Sequence, residues 1–112
     1  MDIKKISDEF HVTSQLHPEQ MREIAARGYK SVLCNRPDNE GAGQPDFAVI
    51  RQAAEQAGLK AEYVPIVHGA AGLKEFQGME AALKNLPKPI LAYCRSGARS
   101  EAMYGAVTET AA

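Results

Sequence analysis

One stretch near the C-terminus constrains the fold more than any other. Residues 89–100 read P-I-L-A-Y-C-R-S-G-A-R-S, a short apolar run followed by a polar loop that contains a glycine. An apolar run of this length, bounded by turn-forming residues and followed by a helical pattern, indicates a buried strand that leads through a tight loop into a helix. Such a strand needs a sheet that is covered on both faces.

The rest of the chain repeats this alternation of strands and helices. Strand-like runs occupy residues 29–35 and 60–66, and residues 3–13 predict a hairpin at the sheet edge with its turn at residues 7–9. Helical patterns with an apolar face run between Pro18 and Gly28 and between Pro45 and Gly58. Further apolar helical positions are Leu73, Phe76, Met79 and Leu83, and then Ala102, Met103, Ala106 and Val107 in a helix from about Ser100.

This pattern predicts an α/β fold with three layers, α/β/α, around a mostly parallel central sheet. The length of 112 residues fits one domain, residues 1–112, with its own core and no linker. The soft ending T-E-T-A-A is also compatible with a domain cut from a longer fusion protein.

Composition excludes several classes of function. Thirteen basic and fourteen acidic residues are spread along the chain without a basic block, which argues against a nucleic-acid binder. No run has the length of a signal peptide core or a membrane span, so we expect a cytoplasmic protein without a membrane partner. The two cysteines lack C-x-x-C spacing and a nearby histidine cluster, so we expect neither a disulfide framework nor a zinc site. The sulfur-transfer chemistry considered below requires no metal or organic cofactor.

Cys94 is the candidate nucleophile because it stands where the strand becomes the loop. The thiolate is the reactive form of cysteine, and its pKa falls beside a helix N-terminus and arginines such as Arg95 and Arg99. Gly97 allows a tight turn, so that N–H groups from Arg95 to Ser100 can converge on an anion at the Cys94 sulfur. The alternative is that Cys94 is only a small buried apolar residue.

Two chemistries fit this loop. Cysteine-dependent phosphatases have five residues between the cysteine and the arginine, usually with a histidine before the cysteine. Here four residues separate Cys94 from Arg99, and Tyr93 stands in the place of the histidine. The sequence C-R-S-G-A-R-S closely resembles the active loop of single-domain rhodaneses, in which the cysteine carries a persulfide. The shorter ring suits a sulfur atom better than a phosphoryl group.

Two further loops should meet the Cys94 loop, because the carboxyl ends of parallel strands form the binding edge of such a sheet. The loop at residues 35–44 offers Arg36, which could add positive charge or only cover the rim, and the acids Asp38 and Glu40. The loop at residues 67–72 offers His68. A phosphatase needs a general acid, and these two acids are more often solvated loop residues. Sulfur transfer needs no acid when the leaving group is sulfite or a thiolate of low pKa.

Three segments together resemble one bacterial family: the loop at 94–100, the sequence C-N-R-P-D at 34–38, and the strand Y-V-P-I at 63–66. This family is the phosphatase-like domain of beta-lactamase-hydrolase-like proteins, also described as sulfur transferases. The resemblance spans nearly the whole chain and implies a fold similar to dual-specificity phosphatases with a rhodanese-like loop. It implies that Cys94 is the nucleophile and that the anion is bound by Arg95, Ser96, Gly97, Ala98 and Arg99.

The resemblance also implies partners, since such domains occur alone or fused to persulfide dioxygenase-like or sulfide:quinone reductase-like domains. Our leading hypothesis is therefore a sulfurtransferase in sulfide detoxification. It would move sulfane sulfur from thiosulfate or a glutathione-type persulfide to a thiol through a Cys94 persulfide. The alternatives are a cysteine-dependent phosphatase that forms phospho-Cys94 and a non-catalytic anion-binding module.

The predicted site comprises the catalytic residues Cys94 and Arg99 and the substrate-binding residues Arg95, Ser96, Gly97, Ala98, Ser100, His68, Arg36 and Asp38. Cys34 is expected to be a core residue. If it were level with Cys94 on a neighbouring strand, with a suitable side-chain direction, the two could form a reversible disulfide.

Overall fold

The predicted alternation of strands and helices is present in the computed structural model, which describes residues 1–111. The strands are β1 (Lys4–Lys5), β2 (Phe10–Thr13), β3 (Ser31–Cys34), β4 (Lys60–Tyr63) and β5 (Ile90–Tyr93). The helices are α1 (Met21–Ala26), preceded by a 3-10 turn at Pro18–Gln20, α2 (Phe47–Gln56), α3 (Leu73–Asn85) and α4 (Ala98–Ala111).

The five strands form one sheet in the order β1-β2-β5-β3-β4. β1 and β2 form the antiparallel edge hairpin that the sequence predicts, and all other neighbours are parallel. β5 lies in the middle, between β2 and β3, so the residues after its carboxyl end emerge at the centre of one sheet edge. The predicted α/β fold with a mostly parallel sheet is confirmed.

The side chains of β5 alternate between two apolar cores. Leu91 and Tyr93 belong to a core on the α1 and α2 face, whereas Ile90 and Ala92 belong to a core on the α3 and α4 face. Burial of each large apolar side chain contributes about 1.5–3 kcal/mol relative to its exposure, so cores on both faces hold β5 firmly. The rigid central strand fixes the start of the loop that follows it.

Three sequence predictions on helices need correction. α4 begins at Ala98, earlier than about Ser100, because the turn at Gly97 leads directly into the helix. Ala102 and Ala106, predicted as apolar core positions of α4, are exposed, whereas Met103 is buried. In the first turn of α3, Leu73 has 71% of its surface exposed, since no element of the described chain covers this turn.

Cys34 is a core residue, as the sequence predicts. Its strand neighbours β5, but its partner in the register is Tyr93, one residue before Cys94. Because side chains alternate between faces along a strand, Cys34 shares the core of Tyr93. Its thiol donates a hydrogen bond to the carbonyl oxygen of Arg36 at 3.2 Å, and burial raises its pKa to about 11. The level alignment required for a disulfide with Cys94 is therefore not present.

None of the helices in the part of the chain that the structure describes combines the length and the apolar character that crossing a bilayer requires.

Candidate active site

Cys94 lies directly after the carboxyl end of β5 and is only 1% exposed. The chain then turns at Gly97, whose φ of 95° lies in the left-handed region that glycine adopts without strain. A Cβ atom at this position would lie 3.3 Å from the carbonyl oxygen of Thr13 on the neighbouring strand β2. Both the backbone conformation and this close approach therefore favour glycine, and the turn wraps the loop around the sulfur.

The Cys94 sulfur is surrounded by backbone donors. The N–H group of Gly97 donates to Sγ at 3.0 Å. Burial opposes ionisation of the thiol, but backbone hydrogen bonds outweigh it and lower the pKa of Cys94 below its ordinary value; their donors are Ser100, Ser96, Arg99 and Gly97. The loop therefore stabilises a thiolate, as the sequence predicts, and the same donors can hold an anionic group attached to the sulfur.

Arg99 is held in a fixed orientation by the loop that follows β3. Its Nη1 donates to Oε2 of Glu40 at 2.7 Å and its Nη2 donates to Oε1 at 2.6 Å, which is a bidentate pair. Nη1 also donates to the carbonyl oxygen of Ile66 at 2.8 Å. The hydrogen bond to Glu40 raises the pKa of the Arg99 guanidinium, and the nearby Cys94 adds to this effect. These contacts leave the Nε edge of Arg99 available for a bound anion.

Glu40 joins two arginines, because Nε of Arg36 also donates to its Oε1, at 2.9 Å. The hydrogen bond from Arg99 outweighs burial and, with the contribution of Arg36, lowers the pKa of Glu40 to about 2. A carboxylate that is ionised at neutral pH has no proton to donate, which removes Glu40 as a general acid. Glu40 is exposed in its loop, as expected of a solvated acid, but its carboxylate also holds Arg99, and its side chain is only 25% exposed.

Replacement of Glu40 by glutamine should lower the free energy of unfolding near neutral pH by about 1–2 kcal/mol, because it removes the ion pairs with Arg99 and Arg36. The effect is limited to this size because water partly screens these ion pairs. The pKa of Glu40 is depressed in the folded protein, so the ion pairs stabilise the fold above about pH 4.5 and lose this effect as pH falls towards about 2. Urea denaturation at pH 7 and pH 3 measures the free energy of unfolding of the wild type and of Glu40→Gln. The difference between the two proteins should be smaller at pH 3 than at pH 7.

The matched control for this prediction is Glu80→Gln, at an exposed position on α3. It should change the stability little at either pH, because it removes a carboxylate without an ion pair in the described chain. A Glu40→Gln defect of equal size at pH 7 and pH 3 would contradict the ion-pair role.

A cavity of about 640 Å³ lies over the Cys94 loop at the sheet edge. It brings together predicted residues from all three loops; its lining consists of Arg36, Glu40, His68, Gly69, Arg95, Ser96, Ala98, Arg99 and Ala102. Arg95 is exposed at this cavity, and Cys94 is buried beneath the loop that forms its floor. The predicted convergence of the three loops is therefore present.

Asp38 is the predicted site residue that the structure places elsewhere. Its carboxylate accepts a hydrogen bond from the N–H group of Phe47 at 2.9 Å, at the start of α2. Its own N–H group donates to the hydroxyl of Tyr63 at 2.9 Å. Since Asp38 does not line the cavity, the prediction of an anion-binding role is corrected to a structural role in fixing the start of α2.

Two buried polar residues complete the surroundings of the loop. Asn35 is fully buried, and its side-chain amide donates to the carbonyl oxygen of Val64 at 2.9 Å, which ties the ends of β3 and β4 together. Ser100, in the first turn of α4, has a buried hydroxyl without a hydrogen-bond partner among the described residues.

Comparison with known protein families identifies the family to which the chain belongs. A family model described as "Beta-lactamase hydrolase-like protein, phosphatase-like domain" matches residues 2–111. The chain belongs to this family. The family suggested by the sequence motifs is therefore confirmed, and residues 1–111 of this phosphatase-like domain include the loop, the cavity and the Glu40 contacts described above.

Full-length relatives of this phosphatase-like domain are much longer. Beta-lactamase hydrolase-like proteins of Xylella fastidiosa and Agrobacterium fabrum are 29% and 24% identical to the chain over 104 residues. In each case the match covers 93% of the chain but 24% of the relative. The chain thus spans about a quarter of the length of these curated relatives.

Solved structures similar to the phosphatase-like domain come from proteins described as phosphatases or candidate phosphatases. A candidate phosphatase from Neisseria meningitidis is 33% identical, with a TM-score of 0.82 and coverage of 90% of this chain and 72% of that one. A candidate phosphatase from Shewanella putrefaciens is 18% identical, with a TM-score of 0.81 and coverage of 94% and 66%.

A more distant structure, the core catalytic domain of a PP-IP phosphatase from S. cerevisiae, is 19% identical, with a TM-score of 0.68 and coverage of 96% and 64%. The fold is therefore the phosphatase-like fold of these structures. These comparisons support the phosphatase alternative better than the sulfurtransferase hypothesis.

Proposed function

We propose that this domain is a cysteine-dependent phosphatase that hydrolyses a phosphate monoester through a phospho-Cys94 intermediate. The observation that carries the proposal is the arrangement around Cys94. A thiolate-stabilising ring of N–H groups lies at the floor of a cavity, and Arg99 is fixed at its rim by Glu40. The phosphatase-like fold supports the same conclusion.

In the first step, Sγ of Cys94 forms a bond to phosphorus and the bond from phosphorus to the leaving oxygen breaks. The loop N–H groups and the Nε edge of Arg99 bind the phosphoryl oxygens, whose charge is held by charge-assisted hydrogen bonds. The leaving oxygen takes up a proton. His68 lines the cavity and is our candidate donor, since an imidazole ring can give a proton to a leaving group within its reach.

In the second step, water gives a proton to His68 and attacks phosphorus, the bond from sulfur to phosphorus breaks, and inorganic phosphate leaves. The Cys94 thiolate is the leaving group of this step, so its lowered pKa accelerates it.

Sulfur transfer is the second candidate function, and the length of the loop favours it. Only four residues separate Cys94 from Arg99, and this chemistry needs no general acid. The thiolate would attack the outer sulfur of thiosulfate, release sulfite and hold Cys94-S-SH, from which a thiol takes the sulfur. A glutathione-type persulfide would serve as donor in the same way. Fused or associated persulfide dioxygenase-like or sulfide:quinone reductase-like partners belong to this candidate.

A side-by-side assay separates the two candidates. The same preparation is tested for release of para-nitrophenol from para-nitrophenyl phosphate, and for transfer of sulfur from thiosulfate or glutathione persulfide to cyanide. We expect Cys94-dependent phosphate hydrolysis that Cys94→Ser abolishes and Cys34→Ser preserves. Sulfur transfer without phosphatase activity would favour the second candidate, and anion binding without either turnover would indicate a non-catalytic module. The reducing cytoplasm, which we propose as its location, would keep Cys94 a thiol.

A further inference from the structure

An apolar trough leads away from the Cys94 cavity along α4. It consists of two adjoining cavities of about 330 Å³ and 550 Å³. Its walls come from α4 and from the loop and first turn of α3; they include Ile66, Ala71, Leu73, Phe76, Met103 and Ala106. Apart from Arg99 at one end, the described residues that line the trough are uncharged.

The trough is continuous with the candidate active site. Gly69, Arg99 and Ala102 line both the Cys94 cavity and the nearer part of the trough. Met103 and Ala106 line both parts of the trough. From Arg99 to Thr110 the helix rises about 16 Å, at 1.5 Å per residue. A molecule that lies in the trough therefore has one end at the arginine that faces the bound anion.

The apolar residues here are exposed together, which is less usual than a single exposed leucine. Leu73 is 71% exposed, and Ala71 and Ala106, which also line the trough, are exposed as well. A contiguous exposed apolar patch on a small protein commonly marks a binding surface. Its continuity with an anion site points to a ligand with an anionic end and an apolar body.

We propose that the trough binds the apolar part of the substrate, so that the substrate class is an amphiphilic organic anion. The anionic group lies over Cys94, and an alkyl or aryl body extends along α4 towards Leu73. This inference rests on the proposed function for the identity of the anionic group, which is a phosphate. The residues that would set specificity are Leu73, Phe76 and Ala106, which do not contact the reacting atoms.

Isothermal titration calorimetry with ethyl, butyl, hexyl and octyl phosphonate tests the trough without turnover. Each methylene buried in an apolar site adds up to about fourfold in affinity, from about 0.8 kcal/mol per methylene. Because the trough is open on one side, we expect Kd to fall about twofold per added methylene. The proposal is overturned if neither this series nor the matching series of alkyl sulfonates shows a Kd that falls with chain length.

The variant Ala106→Gln should flatten this dependence on chain length, because a polar side chain then occupies the trough. Ethyl phosphonate should bind as it does to the wild type, since Ala106 lies away from Cys94. The matched control Ala48→Gln, at an exposed position on α2, should retain the full dependence. A slope that persists in Ala106→Gln would also overturn the proposal, and the trough would then be a surface for another partner.

The same series of alkyl sulfonates separates this proposal from the proposed function. A dependence on chain length with both headgroups supports the trough and the phosphate site together. A dependence with sulfonates alone would keep the trough but argue against a phosphate at Cys94. Hydrolysis of para-nitrophenyl phosphate, together with a Kd that does not change with chain length in either series, would support the phosphatase and overturn the trough.

Discussion

Replacement of Cys94 by serine should abolish turnover and leave the fold intact, with kcat/KM reduced on the order of 10⁴-fold or more, as for other nucleophile deletions. The oxygen is nearly isosteric with the sulfur, but a serine hydroxyl is not ionised near neutral pH and has no base beside it in this loop. The N–H groups that stabilise the thiolate can still donate to the hydroxyl oxygen. We therefore expect loss of chemistry with binding of the anion retained.

Steady-state kinetics on para-nitrophenyl phosphate and thermal unfolding of the same samples check this result. Cys34→Ser is the matched control, because Cys34 is the other buried thiol and lies in the core on the α1 and α2 face. It should cost stability and keep kcat/KM within a few-fold of the wild type. Activity of Cys94→Ser close to that of the wild type would remove Cys94 from the mechanism.

The second large effect is expected for Arg99→Lys, which should lower kcat/KM by about 100-fold. A decrease of this size corresponds to the loss of one or two charge-assisted hydrogen bonds. Arg99 binds Glu40 with two donors and the carbonyl oxygen of Ile66 with a third bond, which leaves its Nε edge available for an anion. Lysine keeps the charge but is a compact point charge without this planar fork. It therefore cannot hold Glu40 and the substrate in one fixed geometry.

Arg36→Lys is the control for this prediction. Arg36 shares Glu40 through a single donor and has its Nη1 bonded to the Gln15 side chain at 3.1 Å. Its replacement should therefore reduce kcat/KM less than tenfold. The kcat and KM of both variants are measured on the same aryl phosphate. Equal losses in the two variants would show that overall positive charge, rather than the fork of Arg99, binds the anion.

The alternation of strands and helices could be derived from the sequence because it depends on local patterns. The apolar run that forms β5 must be buried on both faces, and the glycines and prolines between elements mark their ends. The nucleophile loop is local as well. Cys94, Gly97 and the first turn of α4 lie within a few residues of one another, so their residue types alone predict the turn and the converging N–H groups.

Contacts between separate loops could not be derived in this way. Glu40 meets Arg99 only because β3 and β5 are neighbours in the sheet, which brings the ends of two strands together. Its lowered pKa follows from that contact and not from any feature near Glu40 in the sequence except Arg36. The same holds for Asp38, whose carboxylate meets the start of α2 instead of the cavity.

The strand register also required the structure. Pairing of Cys34 with Tyr93 instead of Cys94 is a shift of one residue, and such a shift exchanges the two faces of the sheet. The sequence by itself determined the fold class, the candidate nucleophile and the loop around it, because these depend on local polarity and backbone freedom. The tertiary structure decided the partner of Arg99, the ionised state of Glu40 and the exposure of Leu73. These depend on which distant segments the sheet order brings into contact and which it leaves uncovered.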